Sequence, residues 1–161
     1  MRARIWAAML AASIGWGTSG IATLTATASP NTVYYSGAAQ TVKGAGYHHL
    51  TLSGSGAKTL PSEAMAVNGD FTVIGPVSAT AGAAIHTAGS FTIGSSASFD
   101  AGSFAHDLKG AFSNSSILAA STSTMVFSGA GDQEIGGSAS TTFNNLTVDK
   151  AVGVVQIEAD I

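Results

Sequence analysis

Short apolar runs alternate with turn residues along almost the whole chain. Residues 32–35 and 71–74 are typical, because β-branched and aromatic side chains recur in them. Turn signals such as Ser36-Gly37 and Asn68-Gly69 separate the runs. No window of about a dozen residues beyond the N-terminus shows the apolar stripe of a helix. The pattern predicts an all-β protein with strands at residues 32–35, 40–42, 48–52, 58–60, 65–67, 71–74, 91–93, 97–99, 112, 116–118, 124–127, 134–135, 144–148 and 154–157.

A short repeat predicts how these strands are arranged. Gly69-Asp70-Phe71, Gly89-Ser90-Phe91 and Gly110-Ala111-Phe112 follow one another at about 20 residues. A unit of this length holds only a few short strands and cannot bury its own apolar face. Coiling successive units lets each strand pair with its counterpart one turn away, at about 4.8 Å. The spacing therefore predicts a right-handed parallel β-helix, a β-solenoid, of about six to seven coils.

The same repeat predicts which side chains lie inside the coil. Phe71, Phe91 and Phe112 are expected to stack as an internal ladder. Thr72, Thr92 and Ser113 are expected to face outward, because side chains alternate along a strand. An antiparallel β-sandwich is the alternative fold, since short strands with glycine-rich turns also suit it. The coil is favoured because a sandwich gives no reason for Phe to recur at a fixed spacing.

A longer repeat encloses the short one. Residues 32–37 match residues 124–129, and the later strands match in the same order: 40–42 with 133–135, 47–52 with 143–148, and 58–60 with 155–157. We therefore expect residues 29–161 to be one β-helix repeat region, truncated at its C-terminus. Its first module is expected at 29–120, and the start of a second module at 121–161.

The N-terminus has the pattern of a secretion signal. Arg2 and Arg4 precede an apolar run at residues 5–14, and Ala26-Thr27-Ala28 offers small residues for cleavage. Residues 1–28 are therefore predicted to be a signal peptide cleaved after Ala28. Cleavage near Gly20 is a lesser option, and a buried N-terminal helix is the alternative. The run is shorter than the roughly 20 residues that span a bilayer, so the expected location of the mature chain is extracellular.

The composition argues against some kinds of partner and against stabilisation by disulfides. The chain contains no cysteine, only 9% of its residues are charged, and its formal net charge is −3. No basic patch is present to contact phosphates, which argues against nucleic-acid binding. No second apolar segment is long enough to span a membrane. Packing and backbone hydrogen bonds must therefore hold the fold together without disulfides.

The C-terminal segment, residues 123–161, resembles the repeats of large bacterial exported surface proteins. It contains Phe127-Ser128-Gly129, then Gln133-Glu134-Ile135, and then Phe143 to Val148 in the pattern F-x-N-L-x-V. Residues 31–60 are similar, except that His48-His49 stands in place of Asn144-Asn145. The resemblance implies a right-handed parallel β-helix in a stalk or adhesin-like part of a longer bacterial cell-surface protein. It carries no motif that is specific to an activity.

Few residue groups suggest a reaction. His48-His49 is a candidate metal pair, but neighbours on one strand face opposite ways and cannot easily share an ion. His106-Asp107 could orient an imidazole beside a serine, yet no Gly-x-Ser-x-Gly elbow is present and a solvated turn is the favoured interpretation. The calcium-binding nonapeptide is also absent. We therefore expect no catalytic residue, no cofactor and no metal ligand.

Two surface patterns leave alternatives open. Asp132 and Glu134 lie two positions apart, on one face of a strand, as a polysaccharide-active enzyme on a β-helix would need. No matching acids stand in the first copy, so a catalytic pair is not favoured. Ice binding would need a flat, regular array of threonines. Thr72, Thr92 and Ser113 supply one short column, while Thr51 and Thr147 are a module apart.

These observations favour a structural or adhesive role. We expect a rigid spacer that presents serine and threonine faces to a host or environmental surface, a glycan or other cell-surface proteins. A polysaccharide-active enzyme or carbohydrate-binding module on the same scaffold is the alternative, and ice binding is a minor one. An uncapped end of the coil would also favour end-to-end stacking of molecules, because it exposes unpaired backbone groups.

Overall fold

The computed structural model describes residues 4–6, 15–16 and 22–158. All regular elements among these residues are β-strands, which confirms the all-β prediction. They are β1 (Arg4–Trp6), β2 (Gly15–Trp16), β3 (Ala22–Thr23), β4 (Thr32–Tyr35), β5 (Gln40–Thr41), β6 (His49–Leu52), β7 (Gly56–Thr59), β8 (Met65–Val67), β9 (Phe71–Val73), β10 (Val77–Thr80), β11 (Ile85–Thr87), β12 (Phe91–Ile93), β13 (Ser98–Asp100), β14 (Ala105–Leu108), β15 (Phe112–Asn114), β16 (Ile117–Ala119), β17 (Thr124–Phe127), β18 (Gln133–Gly136), β19 (Asn145–Val148) and β20 (Val155–Ile157).

Three sheets wrap around one core. The first sheet has the order β1-β4-β6-β9-β12-β15-β18-β20, the second β16-β13-β10-β7-β5, and the third β19-β17-β14-β11-β8. Successive strands such as β8, β9 and β10 belong to the third, first and second sheets, so three strands complete one coil. The result is a parallel β-solenoid of about six turns.

This topology decides between the two predicted folds. From β4 onward, every strand pairs in parallel with the strands of the neighbouring coils. Within the described residues, antiparallel pairing occurs only between β1 and β4 and between β2 and β3. The parallel β-helix is therefore confirmed, and the antiparallel sandwich is wrong.

The predicted aromatic ladder fills the interior. Phe71, Phe91 and Phe112 hold the same register position on β9, β12 and β15 and are at most 1% exposed. Their ring centroids lie 4.9 Å and 5.5 Å apart, and Phe99 of the second sheet meets Phe91 edge-on at 5.0 Å. Such offset and edge-to-face pairs are favourable beyond the area that they bury. The ladder thus joins three coils into one continuous core.

Each strand predicted from residue 32 onward is present, to within two residues at either end. From residue 32 onward, three strands were not predicted, and they are β10, β11 and β14. β10 is built mainly from small residues, β11 carries a histidine, and β14 carries a histidine and an aspartate, so their local β-preference is weak. Pairing with a neighbouring coil on each side supplies the hydrogen bonds that make these segments strands.

The longer repeat does not correspond to a whole number of coils. Thr32–Tyr35 belongs to the first sheet, whereas its match Thr124–Phe127 belongs to the third. His49–Leu52 and its match Asn145–Val148 are displaced in the same way. Each strand of the second copy therefore lies one sheet earlier along the coil than its counterpart. The two copies present their outward side chains on different faces of the solenoid.

The predicted signal peptide is only partly described. Residues 7–14, which make up most of its apolar run, lie outside the described residues. In the part of the chain that the structure describes, no helix is long and apolar enough to cross a membrane.

Candidate functional site

The first sheet turns two columns of polar side chains to the outside. One column contains Tyr34, Thr51, Thr72, Thr92 and Ser113, each in register with the next on the neighbouring coil. In the column beside it, Thr32 is in register with His49, and hydrogen bonds join His49 to Asp70 and Asp70 to Ser90 on the following coils. Thr32, Tyr34, His49, Thr51, Asp70 and Thr72 together line a shallow depression of about 240 Å³, the first-face groove.

A hydrogen-bonded chain crosses the coils inside this groove. The backbone N–H of Asp70 donates to His49 Nδ1 at 2.9 Å, and Asp70 Oδ2 lies 3.4 Å from the same nitrogen. Ser90 donates to Asp70 Oδ1 through both its N–H and its hydroxyl, each at 2.8 Å. Partial burial raises the pKa of Asp70, but the Ser90 hydrogen bonds and the nearby histidines outweigh this and lower it. Asp70 is therefore an anion held between two coils.

The order of the three residues in this hydrogen-bonded series does not suit nucleophilic catalysis. A serine nucleophile needs an imidazole within hydrogen-bonding reach of its hydroxyl, with the carboxylate on the far side of the imidazole. Here the carboxylate of Asp70 stands between His49 and Ser90, and the hydroxyl donates to the carboxylate. The three residues thus connect coils rather than activate serine.

A second series of histidine, aspartate and serine, in the same order, lies on the third sheet. His86 Nδ1 is 3.8 Å from Asp107 Oδ2, and the Ser128 hydroxyl donates to Asp107 Oδ1. His86 and Asp107 also line a depression of about 220 Å³, together with Asn68 and Lys109. Both chains place histidine, aspartate and serine on three successive coils. The signal in the sequence is a spacing of one coil between these residues, which analysis by local motifs missed.

The His48-His49 pair does not have the geometry expected from a strand. His48 precedes β6 in a bend, so the chain turns a corner and the two rings contact each other, with centroids 4.3 Å apart. His48 Nδ1 is buried without a hydrogen-bond partner, while His49 Nδ1 accepts the Asp70 N–H. The expectation that the rings face opposite ways is wrong. Among the described residues, no group of three or more His, Cys, Asp or Glu side chains is placed to hold a metal ion.

His106 lies in the core, so its interpretation as part of a solvated turn is wrong. It belongs to β14 and is 0% exposed. Its Nδ1 accepts the Ile85 N–H at 3.2 Å, and its Nε2 lies 2.8 Å from the Ala101 carbonyl oxygen, to which it donates. Burial lowers the pKa of His106 below its usual value. The neutral imidazole is therefore a structural link between coils.

Asp132 and Glu134 have different partners. Asp132 Oδ1 accepts the Val154 N–H at 3.0 Å, which occupies it as a turn acceptor. Glu134 is exposed on β18, and the neighbouring carboxyl group of Glu158 on the next coil raises the pKa of Glu134. Asp132 therefore bonds to the backbone of the next coil, whereas Glu134 lies under the influence of Glu158.

Two lysines fill rings of carbonyl oxygens that sequence analysis did not anticipate. Lys58 points into the core from β7, is 0% exposed, and donates to the carbonyl oxygens of Gly37, Ala38 and Ser55 and to Gln40 Oε1. Burial lowers the pKa of Lys58, and the four oxygens act against this because each one favours the ammonium form.

Lys150 repeats this arrangement in the second copy. It donates to the carbonyl oxygens of Gly129 and Gly131 and to Gln133 Oε1. Each lysine reaches a glycine carbonyl that lies 21 residues earlier. Both turns, Ser36-Gly37 and Ser128-Gly129, were matched by the longer repeat, but that repeat matches Lys58 with Val155 and not with Lys150. In both copies a lysine ammonium therefore binds the carbonyl oxygens of the turn, although the lysine comes from a different position in each copy. We call this arrangement the cationic clamp.

Threonines also form columns on the outer faces. Thr51 extends the column of Thr72, Thr92 and Ser113, so four successive coils of the first sheet present a hydroxyl. Thr41, Thr59 and Thr80 form a second column on the second sheet. The column on the first sheet runs beside His49 and Asp70, so that face is not a uniform array. Ice binding stays a minor alternative.

No known protein family matches the chain, and no curated protein or solved structure is significantly similar to it.

Proposed function

We propose that this chain is a structural segment of a secreted bacterial cell-surface protein, in which the solenoid is a rigid spacer with an adhesive outer surface. One observation carries the proposal: most of the chemically versatile side chains connect successive coils. His49, Asp70, Lys58 and His106 all bond to residues about one coil away. A continuous core joins the same coils. Such a scaffold resists bending and keeps a fixed length, at about 4.8 Å per coil.

Spin-label distances test the spacer directly. Thr32 and Glu134 lie five coils apart in one column of the first sheet, and the chain has no cysteine. Thr32→Cys and Glu134→Cys labelled with nitroxides should give a single narrow distance distribution, for a backbone separation of about 24 Å. The same pair in denaturant supplies the broad reference. A broad or two-peaked distribution in native buffer would contradict a rigid spacer.

The first-face groove favours a carbohydrate as the bound partner. Tyr34 is 38% exposed at its rim and can stack against a sugar ring, and the Asp70 carboxylate and Thr51 hydroxyl can bond to sugar hydroxyls. A glycan array probed with the chain should show hits that Tyr34→Ala removes. Thr80→Ala on the second sheet is the matched control and should retain them. Hits that survive Tyr34→Ala would place binding elsewhere, and cleavage of a polysaccharide would favour the enzyme alternative.

A further inference from the structure

The outer face of the third sheet carries a groove to which no role has yet been given. Its outward side chains form two columns of three, which are Ala66, His86 and Asp107 in one column and Asn68, Ala88 and Lys109 in the other. We call this depression of about 220 Å³ the third-face groove. Sites for drug-sized ligands typically have volumes of about 300–1,000 Å³, so this groove suits one small unit of a ligand.

Ala88 creates a gap in the second of these columns. Asn68, Ala88 and Lys109 each donate their backbone N–H to a carbonyl oxygen of the preceding coil, so their side chains leave the same face at successive levels. Asn68 and Lys109 are two coils apart, or about 10 Å. Ala88 lies between them, is exposed and carries only a methyl group. A ligand placed over Ala88 therefore lies between an amide and an ammonium group.

The groove presents a cation and an anion side by side. Lys109 is exposed, and among the described residues it takes part in no ion pair. Asp107 stands two positions earlier and is in register with His86 in the first column. Asp107 Oδ1 accepts the Ser128 hydroxyl, whereas Oδ2 is 3.8 Å from His86 Nδ1, which is too far for a hydrogen bond. Asp107 therefore keeps an oxygen that can accept a hydrogen bond from a ligand.

We propose that the third-face groove binds an acidic sugar residue. Lys109 and Asn68 bind the carboxylate of the sugar, and Asp107 accepts a hydrogen bond from one of its hydroxyl groups. This assignment uses the donors and the acceptor together, because an ammonium and an amide N–H donate to a carboxylate and a sugar hydroxyl donates to Asp107. A neutral sugar would leave the ammonium without a partner. A ligand with several phosphates needs a basic patch, and one lysine beside one aspartate does not supply it.

This groove differs in charge from the first-face groove. Asp70 is the carboxylate of the first-face groove, and no lysine lines that groove. The two grooves lie on different sheets, so one solenoid presents sites for two kinds of sugar on separate faces. The proposal rests on the adhesive role proposed above and adds to it a second site with its own class of ligand.

Calorimetric titration with oligomers of galacturonate, glucuronate and mannuronate tests the proposal. At least one of these acids should bind, and its methyl ester should bind at least about tenfold more weakly, because a hydrogen bond to a charged group is lost. Lys109→Met should weaken binding of the acid by a similar factor. Lys43→Met is the matched control, because it removes an exposed lysine that does not line the groove, and it should leave the affinity unchanged.

Ala88→Met is a second variant, which fills the gap and leaves the charge unchanged. It should abolish binding of the acid, whereas Ala57→Met at an exposed position of the second sheet should not. The proposal is overturned if none of the three acids binds, if the methyl ester binds as tightly as the acid, or if either groove variant keeps full affinity.

The first-face groove supplies an independent readout. Tyr34→Ala should leave binding of the acid unchanged, and Lys109→Met should leave the array hits that depend on Tyr34 unchanged. Absence of binding by the acids therefore contradicts the third-face site alone. Absence of the Tyr34-dependent hits contradicts the first-face site alone, so the two failures are distinguishable.

Discussion

Lys58→Met removes the buried ammonium and keeps the length of the apolar stem. Three N–H groups of Lys58 serve four oxygens, those of Gly37, Ala38, Ser55 and Gln40. A hydrogen bond to a charged group contributes about 1.5–3 kcal/mol, so the gross loss is roughly 4–9 kcal/mol. Relief from burying a charge returns several kcal/mol of this. We expect the free energy of unfolding to fall by about 2–4 kcal/mol, because the carbonyl oxygens of Ala38 and Ser55 lose the Lys58 donor, whereas the Gly37 carbonyl oxygen keeps the Ser55 N–H and Gln40 Oε1 keeps the Gly37 N–H.

Equilibrium unfolding in urea, followed by circular dichroism, measures this change. Lys109→Met is the matched control, because Lys109 is exposed and should change stability by less than about 0.5 kcal/mol. A solenoid can unfold coil by coil, so the loss should be largest in amide exchange near β5 and β7. If Lys58→Met were at least as stable as the parent chain, the cost of burying the ammonium would match or exceed the stabilisation by its hydrogen bonds, and the clamp would contribute no net stability.

Three further predictions follow from the core and its corners. Phe91→Ala should lower stability by about 3–5 kcal/mol, because Phe91 contacts Phe71, Phe99 and Phe112; a loss as small as that of the outward control Thr92→Ala would refute the ladder. Gly110→Ala should lower the thermal midpoint, since the new Cβ would meet the Gly89 carbonyl of the previous coil, whereas Gly131→Ala meets open space and should not; equal midpoints would refute this close approach. The lowered pKa of His106 means that the unfolded chain binds a proton more readily, so stability should fall as pH drops below about 6.5; denaturant titrations at pH 7.5 and 5 should show a smaller fall for His106→Gln, and an equal fall would exclude His106 as the cause.

The sequence contained enough information for the fold but not for the contacts between coils. The Gly-x-Phe spacing predicted the coil because each Phe occupies the same register position on its strand. β14 was not predicted because His106 and Asp107 are polar residues, which suggest a turn when only their neighbours in sequence are considered. His106 is nevertheless buried, because its two ring nitrogens form hydrogen bonds with the backbone of Ile85 and Ala101. Local patterns therefore fail where a polar side chain finds its partner one coil away.

The surface features depend on the same long spacing. His49, Asp70 and Ser90 meet because about 20 residues separate each from the next, and no short motif marks them. Lys58 and Lys150 donate to equivalent groups of carbonyl oxygens, but the longer repeat does not match the two lysines with each other, so comparison of the two copies alone did not reveal them. The displacement of the second copy by one sheet likewise could not be predicted from the sequence, because it depends on the number of strands in each coil.

Disulfide trapping tests the parallel stacking of coils most directly. In the parallel register, position 70 lies opposite position 90 and position 72 lies opposite position 92. The double variants Asp70→Cys with Ser90→Cys, and Thr72→Cys with Thr92→Cys, should both oxidise readily, because their Cα atoms are about 4.8 Å apart. Asp70→Cys with Thr92→Cys should remain reduced. Rapid cross-linking of positions 70 and 92, with none between 72 and 92, would show antiparallel strands and contradict the solenoid.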